Sequence, residues 1–264
     1  MGRNLFAEMN KNVSEFVVTD NIQLNYNNFL IKLQPSFIME QIVPGQFVNI
    51  LINDSKSTFL RRPFSIFDID YKQNILSILV KIAGEGSKKL TGVKVGEKLD
   101  MIFPLGNGFT SAAENEQILL VGGGVGIAPL LFLARESRAA GAEVNILLGA
   151  RSSNDHILLD EFVQYGPVHL TTDDGSLGTK GLIVQHEIFN NHHKFSRIYC
   201  CGPDPMMHAV AKKARILQVS CEVSLENMMA CGFGVCLCCV TPTKQGNQCV
   251  CTDGPVFNIE QLKW

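Results

Sequence analysis

The chain has no excess of basic charge. Its 264 residues carry 23 lysines and arginines against 25 aspartates and glutamates, for a formal net charge of −2. A nucleic-acid-binding protein needs a basic surface to meet the phosphate backbone, so this composition argues against DNA or RNA as a partner. Long apolar segments are scarce as well. The longest uncharged run, residues 117–134, contains four glycines and a proline, and we predict no membrane-spanning helix there.

The sequence also lacks the residue sets of self-contained catalysis. It shows no Ser/His/Asp set and no paired carboxylates, and its six histidines have no metal-ligand spacing. Such a chain must leave the chemistry to bound cofactors, and the missing substrate-processing site implies a partner protein. Hydrophobic content of 46% and charged content of 18% indicate a folded chain, of a length that suits two domains with a small appendage.

Cysteine, in contrast, is abundant and clustered. Six of the nine cysteines lie between residues 231 and 251. No secretory signal precedes them, so we expect a reducing cytoplasm in which the thiols are kept for chemistry. Cys231, Cys236 and Cys239 follow the spacing C-x4-C-x2-C, which is typical of plant-type [2Fe–2S] clusters.

Other interpretations of the cysteines are weaker. Structural zinc prefers two short C-x2–4-C pairs, a disulfide framework suits small secreted chains, and cysteines buried as small apolar residues would not cluster. The choice of ligands stays open on spacing alone. Cys238, Cys249 and Cys251 lie near the three spaced cysteines, and Cys249 and Cys251 share one strand parity.

The first half of the chain reads as β-structure. Short apolar runs at residues 15–19, 29–33, 47–51, 75–82 and 98–103 are separated by turn residues such as Asn53-Asp54. This pattern predicts an antiparallel barrel, with one short helix at Ser87–Leu90. Two short motifs lie within it, Arg62-Pro63-Phe64-Ser65 and Gly84-Glu85-Gly86-Ser87.

The two motifs together suggest a diphosphate site. An arginine gives forked hydrogen bonds to phosphate, and the backbone N–H groups of a Gly-x-Gly-Ser turn that runs into a helix can bind the same anion. Each motif alone has a plain alternative, because Arg61-Arg62 could be a solvated pair and Gly84-x-Gly86 an ordinary turn.

The second half alternates buried strands and helices from about Glu116. A strand at residues 117–121 runs into Gly122-Gly123-Gly124-Val125-Gly126 and an apolar helix, 130–140, an arrangement that binds dinucleotide phosphates. Further strands are predicted at 144–148, 168–172, 196–200 and 219–223, and further helices at 155–162, 182–188 and 203–214. Cys201-Gly202-Pro203 stands at the end of one strand, where ligands bind in such sheets; a structural proline turn is the alternative.

These motifs, in this order, resemble two families. Pro44-Gly45-Gln46-Phe47 with the Arg62 and Gly84 motifs is similar to the FAD domain of the ferredoxin–NADP reductase superfamily. The segments 104–109, 229–236 and 251–257 resemble the electron-transfer subunit of dihydroorotate dehydrogenase B. The resemblance spans essentially residues 13–258.

The resemblance implies a fold, cofactors and ligands. It implies an antiparallel β-barrel FAD domain (10–112), a doubly wound parallel-sheet NAD domain (113–224) and a small C-terminal [2Fe–2S] domain (225–264), in a multidomain α+β and α/β chain. FAD would be bound by Arg62, Pro63, Phe64, Ser65, Gly84, Gly86 and Ser87. The nicotinamide dinucleotide would be bound by Gly123, Gly124, Gly126, Cys201 and Gly202, and the cluster by Cys231, Cys236, Cys239 and Cys251. The last thirty-odd residues are too few for a core of their own, so the metal should supply much of their folding energy.

The resemblance also implies a function. Electrons from an FMN-containing subunit that oxidises dihydroorotate would pass through the cluster and FAD to NAD+, in pyrimidine biosynthesis, with two copies of each subunit. Arg151 after the second strand would on its own allow the 2′-phosphate of NADP, whereas the family uses NAD. The alternatives are a diaphorase subunit of another complex, such as a sulfhydrogenase or a ferredoxin–NADP oxidoreductase, and a redox sensor without enzymatic activity.

Overall fold

A computed structural model of the protein describes residues 12–52, 58–190 and 195–264. The predicted turn at Asn53-Asp54 and the first two residues of the predicted FAD domain, 10 and 11, lie outside the described residues.

The first half is an antiparallel barrel, as predicted, and it is closed by six strands, of which β4 (Arg62–Asp70) was not among the predicted runs. Around the barrel the order is β1-β2-β5-β4-β3-β6. Alternate side chains such as Phe16 and Val18 fill its interior, because successive residues of a strand face opposite sides. In chain order the strands are β1 (Asn12–Gln23), β2 (Asn28–Pro35), β3 (Phe47–Ile50), β4 (Arg62–Asp70), β5 (Ile75–Lys81) and β6 (Lys98–Leu105).

One short helix, α1 (Glu85–Leu90), connects β5 to β6. It begins two residues before the predicted start at Ser87. The Ser87 hydroxyl closes the turn ahead of it by accepting N–H groups of Ala83 at 2.8 Å and Gly84 at 3.1 Å.

The second half is a seven-stranded sheet in the order β10-β9-β8-β7-β11-β12-β15. All pairs are parallel except β12 with β15. Helices α2 (Ala128–Ala139) and α4 (Asp204–Leu217) follow β7 and β11. No helix of the described chain is both long and apolar enough to cross a membrane. The strands are β7 (Gln117–Gly123), β8 (Glu143–Ala150), β9 (Val168–Thr172), β10 (Thr179–Lys180), β11 (Arg197–Cys201), β12 (Ser220–Ser224) and β15 (Val256–Asn258).

Two predicted helices are wrong. The segment 155–162 forms only a 3₁₀ turn, Ser153–Asp155, and one helical turn, α3 (Leu159–Phe162), because Leu158 adopts a left-handed backbone with φ 56°. The segment 182–188 forms two 3₁₀ turns. They are divided at His186, whose extended backbone (ψ 139°) breaks the helical path while its ring accepts the N–H of Ile188.

The C-terminal segment is not packed apart from the rest. Strands β13 (Val240–Thr243) and β14 (Gly246–Cys249) form a hairpin, and β15 then pairs with β12 of the large sheet. Cys239, Cys251 and Phe257 belong to one buried core with Val121 of β7 and Met207 of α4. The segment therefore gains much of its burial by packing against the large sheet and α4. Its folding energy is expected to come from this packing as well as from the metal.

Polar contacts fix the barrel to the sheet. Glu222 of β12 accepts the backbone N–H of Thr110 in the linker at 2.9 Å, and the Tyr199 hydroxyl donates to the Thr110 carbonyl at 2.8 Å. Asp68 of β4 forms an ion pair with Arg135 of α2. The ion pair attaches β4 to α2, and the hydrogen bonds of Thr110 attach the linker to β11 and β12.

Candidate cofactor sites

The two motifs predicted to bind FAD, Arg62–Ser65 (the flavin motif of β4) and Gly84–Ser87, lie close together in space. Arg62, at the start of β4, lies under the turn before α1, with its Nε 3.2 Å from the position that a Cβ on Gly86 would occupy. Gly84 faces open space. A guanidinium and a glycine-rich turn therefore lie close together in space, although more than twenty residues separate them in the sequence. This arrangement is suited to binding a diphosphate. The Ser87 hydroxyl is engaged within the turn and donates to the Gly84 carbonyl at 3.0 Å.

The neighbouring arginine has a structural role. Arg61 forms an ion pair with the Asp100 carboxylate at 2.7 Å and donates to the Asp100 carbonyl at 2.9 Å. Pro63, Phe64 and Ser65 follow Arg62 along β4 and pair with β3. All three are half-buried, so this strand keeps partly accessible side chains beside Arg62.

The predicted nucleotide loops pack backbone against backbone. A side chain at Gly126 would collide with the carbonyl oxygen of Cys201 and with Gly202, and one at Gly123 would collide with Met206. The close approach requires glycine. Gly124 differs, because it has a positive φ of 56° and no atom lies within 4 Å of its added Cβ. Its backbone thus faces open space at the carboxyl end of β7, where dinucleotides bind in such sheets.

Cys201 is a buried thiol at the end of β11. It stands opposite Ser224 of β12 in the parallel register. Burial raises the pKa of Cys201 to about 12, against a hydrogen bond from the Ser224 side chain that lowers it. The thiol is therefore protonated at neutral pH. Sequence reasoning missed Ser224, whose only signal was its position at the end of the last parallel strand.

The four predicted cluster cysteines come together in pairs. The side chains of Cys231 and Cys236 interact with each other, and so do those of Cys239 and Cys251. The Sγ of Cys239 also accepts the Cys251 backbone N–H at 3.4 Å. In the described chain no three His, Cys, Asp or Glu side chains converge on one metal ion. A [2Fe–2S] cluster does not need such a triplet, because four thiolates serve two irons.

Backbone N–H groups surround the cysteine loop. Burial works against the charged form of Cys231, but N–H groups of Phe233, Cys236 and Val235 point at its sulfur and lower the pKa to about 6. The Phe233 N–H lies 3.4 Å from that sulfur. Such donors stabilise thiolates, so this loop fits an iron–sulfur cluster by the chemistry of its donors.

Two further cysteines, Cys249 and Cys238, lie beside the predicted ligands. The Cys249 side chain also interacts with that of Cys239. The backbone N–H of Cys249 donates a hydrogen bond to the Asp253 carboxylate at 2.7 Å. Burial raises the pKa of the Cys251 thiol to about 12, against the backbone N–H of Gly234 in the middle of the cysteine loop, which lowers it. Cys238 is exposed.

The tail after Cys251 is attached to the barrel by Asn107, which sequence reasoning did not select. The Asn107 amide donates to the carbonyls of Thr252 at 3.0 Å and Asp253 at 3.1 Å, and its backbone N–H donates to Gly254. The segments 104–109 and 251–257, both of which carried the resemblance, are thus in direct contact.

A flavin-domain barrel followed by a nucleotide-binding sheet defines the class of ferredoxin–NADP reductase-like oxidoreductases. The structure of an NADH-dependent reduced ferredoxin–NADP oxidoreductase superimposes with a TM-score of 0.85 at 30% identity, covering 94% of this chain and 90% of that chain. The ferredoxin reductase of carbazole 1,9a-dioxygenase shares the fold, with a TM-score of 0.65 at 22% identity, over 80% of this chain and 66% of that one.

Sequence comparisons narrow the class. Residues 226–263 match the iron–sulfur cluster binding domain of dihydroorotate dehydrogenase B, and residues 120–212 match the oxidoreductase NAD-binding domain. The dihydroorotate dehydrogenase B (NAD(+)) electron transfer subunit of Fusobacterium nucleatum is 37% identical over 252 residues, covering 93% of this chain and 96% of the relative. The Caldanaerobacter subterraneus subunit is 40% identical over 225 residues, covering 83% and 86%. The chain belongs to this family of dihydroorotate dehydrogenase B electron-transfer subunits.

Proposed function

We propose that this chain passes electrons from a dihydroorotate-oxidising partner to NAD+ through a [2Fe–2S] cluster and FAD. The observation that carries the proposal is the position of the cysteine loop and its tail. Both lie against the barrel that holds the flavin motif, through Asn107 and through the Gly232–Leu105 contact. The same chain holds the open glycine turn at Gly124. Sites for one-electron and two-electron carriers thus occur side by side.

The side chains of this protein bind and orient the cofactors. Arg62 and the turn at Gly84–Ser87 hold the FAD diphosphate, and Phe64 and Ser65 border its ring. Gly123, Gly124 and Gly126 leave room for the nucleotide phosphates, with Cys201 and Gly202 on the nicotinamide side. When bound, FAD exchanges a hydride with nicotinamide and single electrons with the cluster. Cys231, Cys236, Cys239 and Cys251 would hold the cluster through their thiolates.

The proposed nucleotide is NAD+. The relatives are named as NAD+ enzymes. Arg151 follows β8 on an exposed turn, where the side chain can turn to solvent when no 2′-phosphate is present. The domain limits of 10–112, 113–224 and 225–264 remain our proposed division of the chain, and β15 links the last two parts.

A partner subunit would dock over the cysteine loop. Phe233, Val235 and Leu237 are 46%, 74% and 64% exposed around the exposed Cys236, and Met228 beside them is 85% exposed. Contiguous apolar exposure of this kind marks a protein interface. We propose an FMN-containing catalytic subunit there, in a heterotetramer with two of each chain. None of the nine cysteines forms a disulfide, which supports a cytoplasmic location.

The test is dihydroorotate-dependent NAD+ reduction by the complex purified anaerobically, with the partner identified by its mass. Turnover is expected, together with iron and FAD in the purified complex. NADH diaphorase activity without dihydroorotate turnover would instead favour a subunit of another complex. That second candidate is motivated by the similarity to the NADH-dependent ferredoxin–NADP oxidoreductase structure. A complex with neither activity would contradict both and leave the redox sensor.

A further inference from the structure

Asn49 of β3 is a buried amide without a hydrogen-bond partner. The residue is fully buried. Neither Nδ2 nor Oδ1 meets a donor or acceptor among the described residues, although its backbone carbonyl accepts Arg61 at 3.4 Å. Buried amides are nearly always satisfied in native proteins, so such a group requires an explanation.

The amide lies on the outer face of the barrel, toward the cysteine loop. Val48 and Ile50 point into the barrel core, whereas Phe47 belongs to the core shared with Cys239 and Cys251. Because side chains alternate along a strand, Asn49 lies on the same side as Phe47. Its Nδ2 stands 2.8 Å from the position that a Cβ on Gly232 would occupy. Gly232 directly follows the proposed ligand Cys231.

Asn49 also adjoins the flavin motif. In the antiparallel register it is opposite Pro63 of β4, and Phe47 is opposite Ser65. One buried amide therefore lies between the strand proposed to carry the flavin and the loop proposed to carry the cluster. A glycine at position 232 allows this approach, since any side chain there would meet the amide.

We propose that the Asn49 amide donates an N–H hydrogen bond to a sulfur of the [2Fe–2S] centre and so raises its reduction potential. The inference rests on the proposed cluster site. Cluster and thiolate sulfurs are acceptors, and an amide supplies two donors. Hydrogen bonds to the sulfurs are among the factors that set the potential of a cluster. They stabilise the more negative, reduced state more strongly, and the bond would therefore favour acceptance of an electron from the partner.

The test is a redox titration of the anaerobically purified complex, following the cluster by EPR and the flavin by absorbance. Asn49→Leu keeps the branched side-chain shape and removes both donors. We expect a more negative cluster potential, with unchanged FAD content and unchanged flavin potential. Ile102→Val is the matched control, since Ile102 is opposite Asn49 on β6 and lies in the same core. It should leave both potentials unchanged.

Other outcomes overturn the inference. A shift confined to the flavin potential would make the FAD carbonyls the acceptor, and no shift in either potential would make Asn49 a packing residue. If Asn49→Leu assembles no cluster, Asn49→Ser, which keeps a hydroxyl donor, takes its place. A smaller shift of the cluster potential in the same direction would support the hydrogen bond, and no shift would make Asn49 a packing residue. A wild-type complex without iron would instead contradict the proposed function itself.

Discussion

At the scale of single residues, Arg61 and Arg62 are neighbours whose guanidinium groups contact different parts of the barrel. Arg61 is tied to Asp100 on β6, and Arg62 stands under the turn at Gly86. The sequence presents them as a plain pair. In the structure Arg61 lies just before β4 and Arg62 is its first residue, and the two guanidinium groups meet different partners.

Arg62→Ala should weaken FAD binding by roughly tenfold or more, since a charge-assisted hydrogen bond contributes about 1.5–3 kcal/mol. Flavin content and FAD titration of the apoprotein measure this. Arg61→Ala is the contrasting variant. It should instead lower the free energy of unfolding by about 1–2 kcal/mol, because the ion pair with Asp100 is partly exposed and screened. Equal flavin affinity in the Arg62 variant and wild type would count against the barrel site.

The cysteines allow a similar comparison. Cys236→Ser should lose the cluster and keep FAD, because the two sites use different elements. Cys238→Ser, an exposed neighbour, should keep both. Iron and sulfide analysis, with visible circular dichroism, distinguishes the two variants. A full cluster signal in Cys236→Ser would show that the ligand assignment is wrong.

At the scale of elements, two glycines of the loop between β7 and α2 differ in how well they tolerate a side chain. Gly126→Val should disrupt the contact with the Cys201–Gly202 turn and abolish stable NADH binding. Gly124→Ala should cost only about 1–2 kcal/mol, from its left-handed backbone, yet lower NADH affinity because the added methyl enters the open phosphate position. Thermal unfolding and NADH titration test the pair. Unchanged NADH affinity in Gly124→Ala would place the nucleotide elsewhere.

Most strands of the barrel and the large sheet were predictable from sequence, and two of the helices were not. Runs such as Gln117–Val121 are short, apolar and bounded by turn residues, and the structure confirms them. The helix predicted at 155–162 failed because the left-handed backbone at Leu158 has no signature in a leucine. The spacing of the cysteines indicated the cluster. It could not decide whether Cys249 or Cys251 is the fourth ligand, and in the structure both lie against Cys239. The contact of Asn107 with Thr252 joins residues 145 positions apart and was equally invisible.

At the scale of the whole molecule, the apolar rim of the cysteine loop should determine assembly. Val235→Glu places a charge at a position 74% exposed, and we expect it to weaken association with the partner while cluster and FAD contents stay normal. Val95→Glu is the control, as Val95 is 67% exposed on a barrel turn. Size-exclusion chromatography with mass detection measures both. A Val235→Glu complex as stable as wild type would mean that the partner binds another surface.

The pairing of β15 with β12 has one more consequence. Ser224, the last residue of β12, lies opposite Val256, the first residue of β15. The chain thus leaves and re-enters the sheet at one place. The segment between these residues forms a long loop whose two ends are held next to each other by the sheet. We therefore expect loss of iron under oxygen to loosen this segment while the barrel and the sheet stay folded, so that a new cluster can be rebuilt on the same framework.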